Sequence, residues 1–305
     1  MRRLMHRTFG GPDVLELVHE PDPELGPGEV RVRVHAAALN PVDWKILAGT
    51  AAATSRGLEP PLGVGNDIAG VVDAVGEGVH HLVVGDRVLG SARARAMQDR
   101  TVVDPAREAL VRIPDGLDDV RASCLVVAGR TAWAGIERLA LGAGDVVLVH
   151  GAAGGVGVLA VQLARMRGAR VIGTASERNH DRLVAYGAEA IAYGDGMLDR
   201  LRALGGVDAV FETHGTEGID AGLALGVPAD RMVGIAMKGH AGVEGVPTDL
   251  AQTGAGLAEL AALAADGSLD VPIQSVVPLE RAAEAYGVLM GGHVHGKLVV
   301  DLLAE

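Results

Sequence analysis

One stretch of the chain concentrates residues able to hold a ligand: Val146-Val-Leu-Val-His150-Gly151-Ala-Ala-Gly154-Gly155-Val-Gly157. An apolar run passes through glycines into a second apolar run, the pattern of a buried strand, a tight turn and a helix. Gly151 permits the turn, Gly154 lets the backbone approach a diphosphate, and Gly157 lets helix and strand pack closely. The phosphates would sit at the helix N-terminus, where free N–H groups and the helix dipole favour negative charge. The chain has 44 glycines. The flanking strand and helix, more than the G-x-x-G-x-x-G spacing itself, therefore point to a dinucleotide.

The next strand, residues 170–174, leads into Ala175-Ser176-Glu177-Arg178. NAD sites place an acid at the end of this strand, on the ribose 2′-hydroxyl. Here a hydroxyl and an arginine follow instead, and these suit a 2′-phosphate. NADPH is the expected coenzyme, with Glu177 facing solvent or opposing the phosphate.

The elements that must position these residues change character along the chain. Residues 14–18, 29–37, 68–75, 87–89 and 109–113 read as short strands between Gly and Pro turns, a partly open barrel or sandwich. Residues 119–141 read as a helix. From residue 145, strands (145–150, 170–174, 190–193, 207–211, 231–236) alternate with helices (156–167, 179–186, 197–204, 219–225), the signature of a parallel sheet covered on both faces. A further helix is expected at 257–266. Residues 273–302 read as strand, helix, strand and are expected to rejoin the first domain. The expected fold is α/β, a β-barrel domain (1–118 and 271–305) plus a doubly wound parallel-sheet domain (119–270).

Composition narrows the function. Net charge is −12 with no basic block, and aromatics are 2%, so neither the charge footprint nor the stacking surface of a nucleic-acid binder is present. Residues 146–164 are apolar enough to resemble a membrane span, but four glycines interrupt them, and strand, turn and buried helix is the better reading. The start of the chain has arginines but no apolar core of a signal peptide, so a cytoplasmic location is expected. The one cysteine, Cys124, excludes an intrachain disulfide and any cysteine-cluster metal site. No histidine sits in a partner motif that would make Cys124 a nucleophile.

Several segments, in order, resemble the medium-chain dehydrogenase/reductases, and within them the zinc-independent quinone oxidoreductase (zeta-crystallin-like) branch. They are Phe9-Gly-Gly-Pro-Asp-Val-Leu15, Pro27-Gly-Glu-Val-Arg-Val-Arg-Val34, Asn40-Pro-Val-Asp-Trp-Lys-Ile46, Asn66-Asp-Ile-Ala-Gly-Val-Val-Asp-Ala-Val-Gly76, Val83-Val-Gly-Asp-Arg-Val88, Ala128-Gly-Arg-Thr-Ala-Trp133, the glycine turn, and His295-Gly-Lys-Leu-Val-Val300. The resemblance covers nearly the whole chain. It implies a GroES-like domain, a Rossmann domain and an active site in the cleft between them. It also implies cofactor contacts from Asn40, Thr131, the turn residues Gly151, Ala153, Gly154, Gly155, Val156 and Gly157, then Ser176, Arg178, Tyr193, His214, Gly215, Ile235 and Lys297. Tyr193 has an alternative reading as a strand-end residue, and Lys297 as a surface cation.

Zinc-dependent relatives carry a cysteine where this chain has Asn40, and a His-Glu pair where it has Asn66-Asp67, so no metal is expected. Asn40 itself, with Asp43 and Lys45 on the same short segment, is the candidate catalytic set, the last two as proton donors; Tyr286 reads as packing. Departures from the branch are Arg130 in place of a leucine, which either shapes an anionic pocket or points outward, and Ser91-Ala-Arg-Ala-Arg-Ala-Met-Gln-Asp-Arg100 in place of an aromatic and acidic segment. Residues 242–248 make a poor strand. The sheet is expected to end early there, with the homodimer contact of that branch altered or absent. The leading expectation is an NADPH-dependent, metal-free reductase passing hydride to a quinone or α,β-unsaturated carbonyl of a small molecule. A non-redox cyclase or isomerase and a catalytically silent binding protein stand as alternatives, with no nucleic-acid or membrane partner.

Overall fold

A computed structural model describes residues 1–235, 239–247, 254–292 and 294–304. The chain divides into two units, Met1–Val127 with Gln252–Glu305, and Ala128–Ala251.

The first unit contains strands β1 (Arg2–His6), β2 (Leu15–His19), β3 (Val30–Ala38), β4 (Leu62–Gly63), β5 (Asp67–Val75), β6 (Arg87–Ser91), β7 (Arg100–Val103) and β8 (Leu110–Arg112), with helices α1 (Pro41–Leu47), α2 (Ala51–Thr54) and α3 (Asp119–Cys124). In the second unit, α4 (Arg130–Leu139) precedes β9 (Val146–His150), α5 (Gly157–Met166), β10 (Arg170–Thr174), α6 (His180–Ala185), β11 (Glu189–Ile191), α7 (Met197–Ala203), β12 (Ala209–Glu212), α8 (Glu217–Ala224), β13 (Met232–Gly234) and β14 (Glu244–Gly245). The chain then returns to the first unit with α9 (Gly254–Ala265), β15 (Ile273–Pro278), α10 (Ala282–Met290) and β16 (Lys297–Asp301).

β3 organises the first unit. Its even-numbered residues Val30, Val32 and Val34 are buried, as alternation requires. One edge pairs antiparallel with β5 along most of its length; the other is shared by β7 at Val30–Arg33 and β16 at Ala36–Ala38. The main sheet runs β15-β16-β3-β5-β6-β8, and a smaller one runs β2-β1-β4. The core is aliphatic, from Val32, Ile68, Val88 and Leu298, and it encloses the ring of Tyr286.

The second unit is a six-stranded parallel sheet in the order β11-β10-β9-β12-β13-β14, the dinucleotide-binding winding. The apolar run 146–164 is β9, the turn and α5. Every residue from Gly157 to Ala164 is buried, so α5 is apolar all round because sheet and helices enclose it. No helix among the described residues is long and apolar enough to cross a membrane.

Three expectations need correcting. The helix expected over 119–141 is interrupted by a π-helical turn, Leu125–Gly129, and α3 groups with the first unit. The sheet does not end early: Glu244–Gly245 pairs parallel with β13, two residues long and exposed, which is why its sequence carries no strand pattern. Strands β1, β4 and β7 were not foreseen, because Arg2-Arg3 and Arg100 mask the short apolar stretches beside them. Ala236 and Lys238, at the end of the expected fifth strand and the start of the expected short region, lie outside the described residues, as do Thr248 and His293.

Candidate functional site

The first unit's site follows from strand direction. β5 and β16 flank β3 antiparallel, so the end of β3 meets the beginnings of both neighbours. That brings Asn40, just past β3, to Asp67 at the start of β5 and Lys297 at the start of β16. Asn40 Nδ2 donates to Asp67 Oδ2 at 2.8 Å, and Lys297 Nζ donates to Asn40 Oδ1 at 2.6 Å and to the Leu39 carbonyl at 2.7 Å. The Val127 amide also donates to Asp67 Oδ2, at 3.2 Å.

Asn40 is also the N-cap of α1. Pro41 at the first helical position has no N–H to leave unsatisfied, and Asp43 at the third accepts the Asn40 amide at 2.8 Å. Asn66 donates to the other Asp43 oxygen. Asn40, Asp43, Asn66, Asp67 and Lys297 are all buried.

Two carboxylates and one ammonium thus share an interior where unbalanced charge is costly. Burial, reinforced by the nearby Asp67, pushes Asp43 up to about 7, against the stabilising pull of the Asn40 amide, Lys297 and Asn66. With one proton on Asp43 the cluster is neutral. Asp43 also lines a cavity of about 10 Å³ with Asn66, Val64 and Ala94, close to the smallest volume that admits one water.

Of the candidate catalytic set, Asn40 and Asp43 lie in this cluster and Lys45 does not. Lys45 is half-buried on α1, its Nζ 5.8 Å from the Trp44 ring centroid. Lys297 is no surface cation. The Tyr286 side chain packs in the core as expected. Its hydroxyl is buried without a hydrogen-bond partner, and burial, with Asp43 and Asp67, holds it well above the ordinary tyrosine range. Burial pushes Cys124 up to about 12, so its thiol stays protonated and inert. Asn66 and Asp67 were noted in the sequence only for what they replace. A signal for Asp67 was there: an acid opening an apolar strand is buried with the strand and needs a partner.

The second unit's site lies at the C-terminal ends of its parallel strands. Gly151 adopts φ +76°, and a Cβ there would meet Thr213 Oγ1 at 2.6 Å. A Cβ on Gly157 would stand 2.3 Å from the Gly151 carbonyl, so only glycine fits. Gly154 differs: among the described residues, the nearest atom to its Cβ position is the Gly151 carbonyl at 3.5 Å. The amides of Gly155, Val156 and Gly157 find no acceptor among the described residues, as expected in the first turn of a helix. Thr174, ending β10, accepts the Gly151 amide at 3.0 Å and contacts His150 Nδ1 at 2.9 Å, fixing the entry to the turn.

After β12, Glu212 is fully buried and accepts the amides of His214, Gly215 and Gly218 at 2.7–2.9 Å. The loop presenting His214 and Gly215 is therefore built on a carboxylate the sequence did not mark out. Gly215 has open space at its Cβ position, and His214 lies beside Gly151. Ile235 donates its amide to the Glu212 carbonyl, and Tyr193 is exposed at 47%. The Gly194 amide beside Tyr193 is held by Glu217 at 2.7 Å. Thr131 lies half-buried in the first turn of α4, next to a buried Arg130, which does not point outward. Ser176 accepts from Asn179 at 3.0 Å, and Arg178 is exposed with no acidic partner among the described residues. Free amides, an open glycine and an available guanidinium fit a phosphate-bearing dinucleotide.

Residues 26–112 match the alcohol dehydrogenase GroES-like domain, and residues 178–300 the zinc-binding dehydrogenase family. The structure of the quinone oxidoreductase from Coxiella burnetii superposes with a TM-score of 0.88, at 31% identity over 99% of each chain. The chain belongs to the medium-chain dehydrogenase/reductases, in the quinone oxidoreductase branch. Human quinone oxidoreductase is 29% identical over 99% of this chain and 98% of its own length. A mycocerosic acid synthase-like polyketide synthase of Mycobacterium tuberculosis is 35% identical over 98% of the chain, which spans 15% of that protein's length. The family is one of oxidoreductases that take nicotinamide cofactors. Among the described residues, no group of three or more His, Cys, Asp or Glu side chains could hold a metal ion.

Proposed function

We propose that the protein is an NADPH-dependent, zinc-independent reductase of a quinone or an α,β-unsaturated carbonyl in a small molecule. The observation that carries this reading is Arg178, exposed after β10 and without an acidic partner among the described residues, beyond a turn whose amides at Gly155, Val156 and Gly157 find no acceptor among them. When bound, NADPH supplies a hydride. Ser176, Arg178 and Tyr193 take its 2′-phosphate, and Gly151, Ala153, Gly154, Gly155, Val156 and Gly157 its diphosphate. Thr131, His214, Gly215 and Ile235 support the ribose and nicotinamide end, with Asn40 and Lys297 toward the ring.

Reduction of either acceptor consumes one hydride and one proton. Asp43, protonated below about pH 7, supplies the proton, directly or through a water in the cavity it lines. Asn40 and Lys297 hold the cluster that keeps that proton. The residues beside Asn40 are poor zinc ligands: two amides replace imidazole or thiolate, and the Lys297 ammonium already supplies the positive charge. The name of the human relative, quinone oxidoreductase, supports the quinone as acceptor. The test is NADPH oxidation monitored with and without a benzoquinone or enone. Acceptor-dependent oxidation supports the reading; tight NADPH binding with no turnover on either class overturns it.

A further inference from the structure

One carboxylate bridges the loop proposed for the 2′-phosphate and the strand end that opens the diphosphate turn. Glu217 begins α8, two residues beyond Gly215. Its Oε1 accepts the Gly194 amide at 2.7 Å. Its Oε2 faces His150 Nε2 at 3.8 Å, within ion-pair range but too long for a hydrogen bond. Gly194 follows Tyr193 in the loop after β11, and His150 ends β9 beside Gly151. His150 Nδ1 contacts the Thr174 hydroxyl that accepts the Gly151 amide. With that hydroxyl donating to Nδ1, the imidazole carries its proton on Nε2, the nitrogen that faces Glu217.

The loop needs such a brace. β11 is the edge strand, and β12, which leads to Glu217, stands three places from it in the sheet. A loop leaving an edge strand has a neighbouring strand exit on one side only. Here that exit is β10's: the Ala175 amide donates to the Ile191 carbonyl at 3.0 Å, which sets Ser176 and Tyr193 at adjoining strand ends. Gly194 and Gly196 both adopt φ +76°, so two glycines with wide backbone freedom follow Tyr193 directly. Other ties act on the loop's carbonyls: Arg200 donates to those of Ala192 and Asp195, and the Met197 amide to that of Gly194. Among the described residues, the acceptor of the Gly194 amide is Glu217.

We infer that Glu217 is a positioning residue for recognition of the 2′-phosphate. By fixing the Gly194 amide it holds Tyr193 beside Ser176, and so sets the preference for NADPH over NADH without touching either coenzyme. The inference rests on the NADPH reading. The glycine turn serves both coenzymes alike, so a loosened Tyr193 loop weakens the phosphorylated one selectively.

The test measures calorimetric dissociation constants for NADPH and NADH, together with hydrogen exchange at the Gly194 amide in the coenzyme-free protein. Glu217→Ala should expose that amide to exchange and lower the preference for NADPH about fivefold or more, the worth of one hydrogen bond. Glu217→Gln keeps an acceptor for the amide and should retain both the protection and most of the preference. Tyr193→Ala should also lower the preference, and adding Glu217→Ala to it should lower it no further, because one residue acts through the other. Four results overturn the inference and leave the NADPH reading: additive losses in the double variant, Glu217→Gln as impaired as Glu217→Ala, equal weakening of both coenzymes, or an unmoved preference. Wild-type protein that binds NADH as tightly as NADPH removes the NADPH reading, and the inference with it.

Discussion

Lys297 donates to Asn40 across 257 positions of sequence, joining the last strand to the cap of the first helix at 2.6 Å. This bond closes a buried cluster in which one ammonium faces two carboxylates, and the cluster's charge balance has consequences for stability and for activity.

Replacing Lys297 with methionine leaves Asp43 and Asp67 without their counter-charge. Lys297 reaches Asp67 through Asn40, and leaving a buried charge uncompensated costs about 3–5 kcal/mol. Urea unfolding at pH 8 should show a loss of that order for Lys297→Met. At pH 5 the loss should be smaller, because Asp43 is then protonated. An equal loss at both values would mean that the carboxylates do not depend on Lys297.

In the folded chain Asp43 holds its proton up to about pH 7, against an ordinary value of 3.8. Between those values the folded state binds the proton and the unfolded state does not. This residue's contribution therefore makes stability fall as pH rises through that window. If the same proton goes to the reduced acceptor, kcat should also fall as pH rises past about 7. Asp43→Asn should flatten that limb and lower kcat roughly 10²-fold or more, in line with loss of a general acid. A pH–rate profile unchanged in shape would remove Asp43 as donor.

Arg178→Ala should lower the preference for NADPH over NADH by about 10- to 100-fold, the worth of one or two charge-assisted hydrogen bonds. Measured dissociation constants for both coenzymes decide it. NADH affinity should change little, since the 2′-hydroxyl offers no charge to lose.

The glycines of the turn should separate by experiment. Gly157→Ala drives a Cβ into the Gly151 carbonyl and should cost about 1–3 kcal/mol of stability in urea. Gly154→Ala meets nothing among the described residues closer than 3.5 Å, so its stability should stay within about 0.5 kcal/mol while NADPH binding weakens at least tenfold. A Gly154→Ala protein that binds NADPH normally would show that the coenzyme does not approach that backbone.

The sequence by itself determined the parallel sheet and its glycine turn. Strand, turn and helix are contiguous there, so periodicity and glycine spacing report them directly; β10, expected at 170–174, spans those residues. It also grouped Asn40 and Asp43 on one short segment and marked Lys297 apart from them. The tertiary structure decided that they meet. Asp67 lies 27 residues from Asn40 and Lys297 lies 257, distances over which spacing carries no information. Only the antiparallel pairing of β5 and β16 on either side of β3 brings the three residues to one strand end. Burial there then turns an amide, two acids and a lysine into a cluster that keeps a proton near neutral pH.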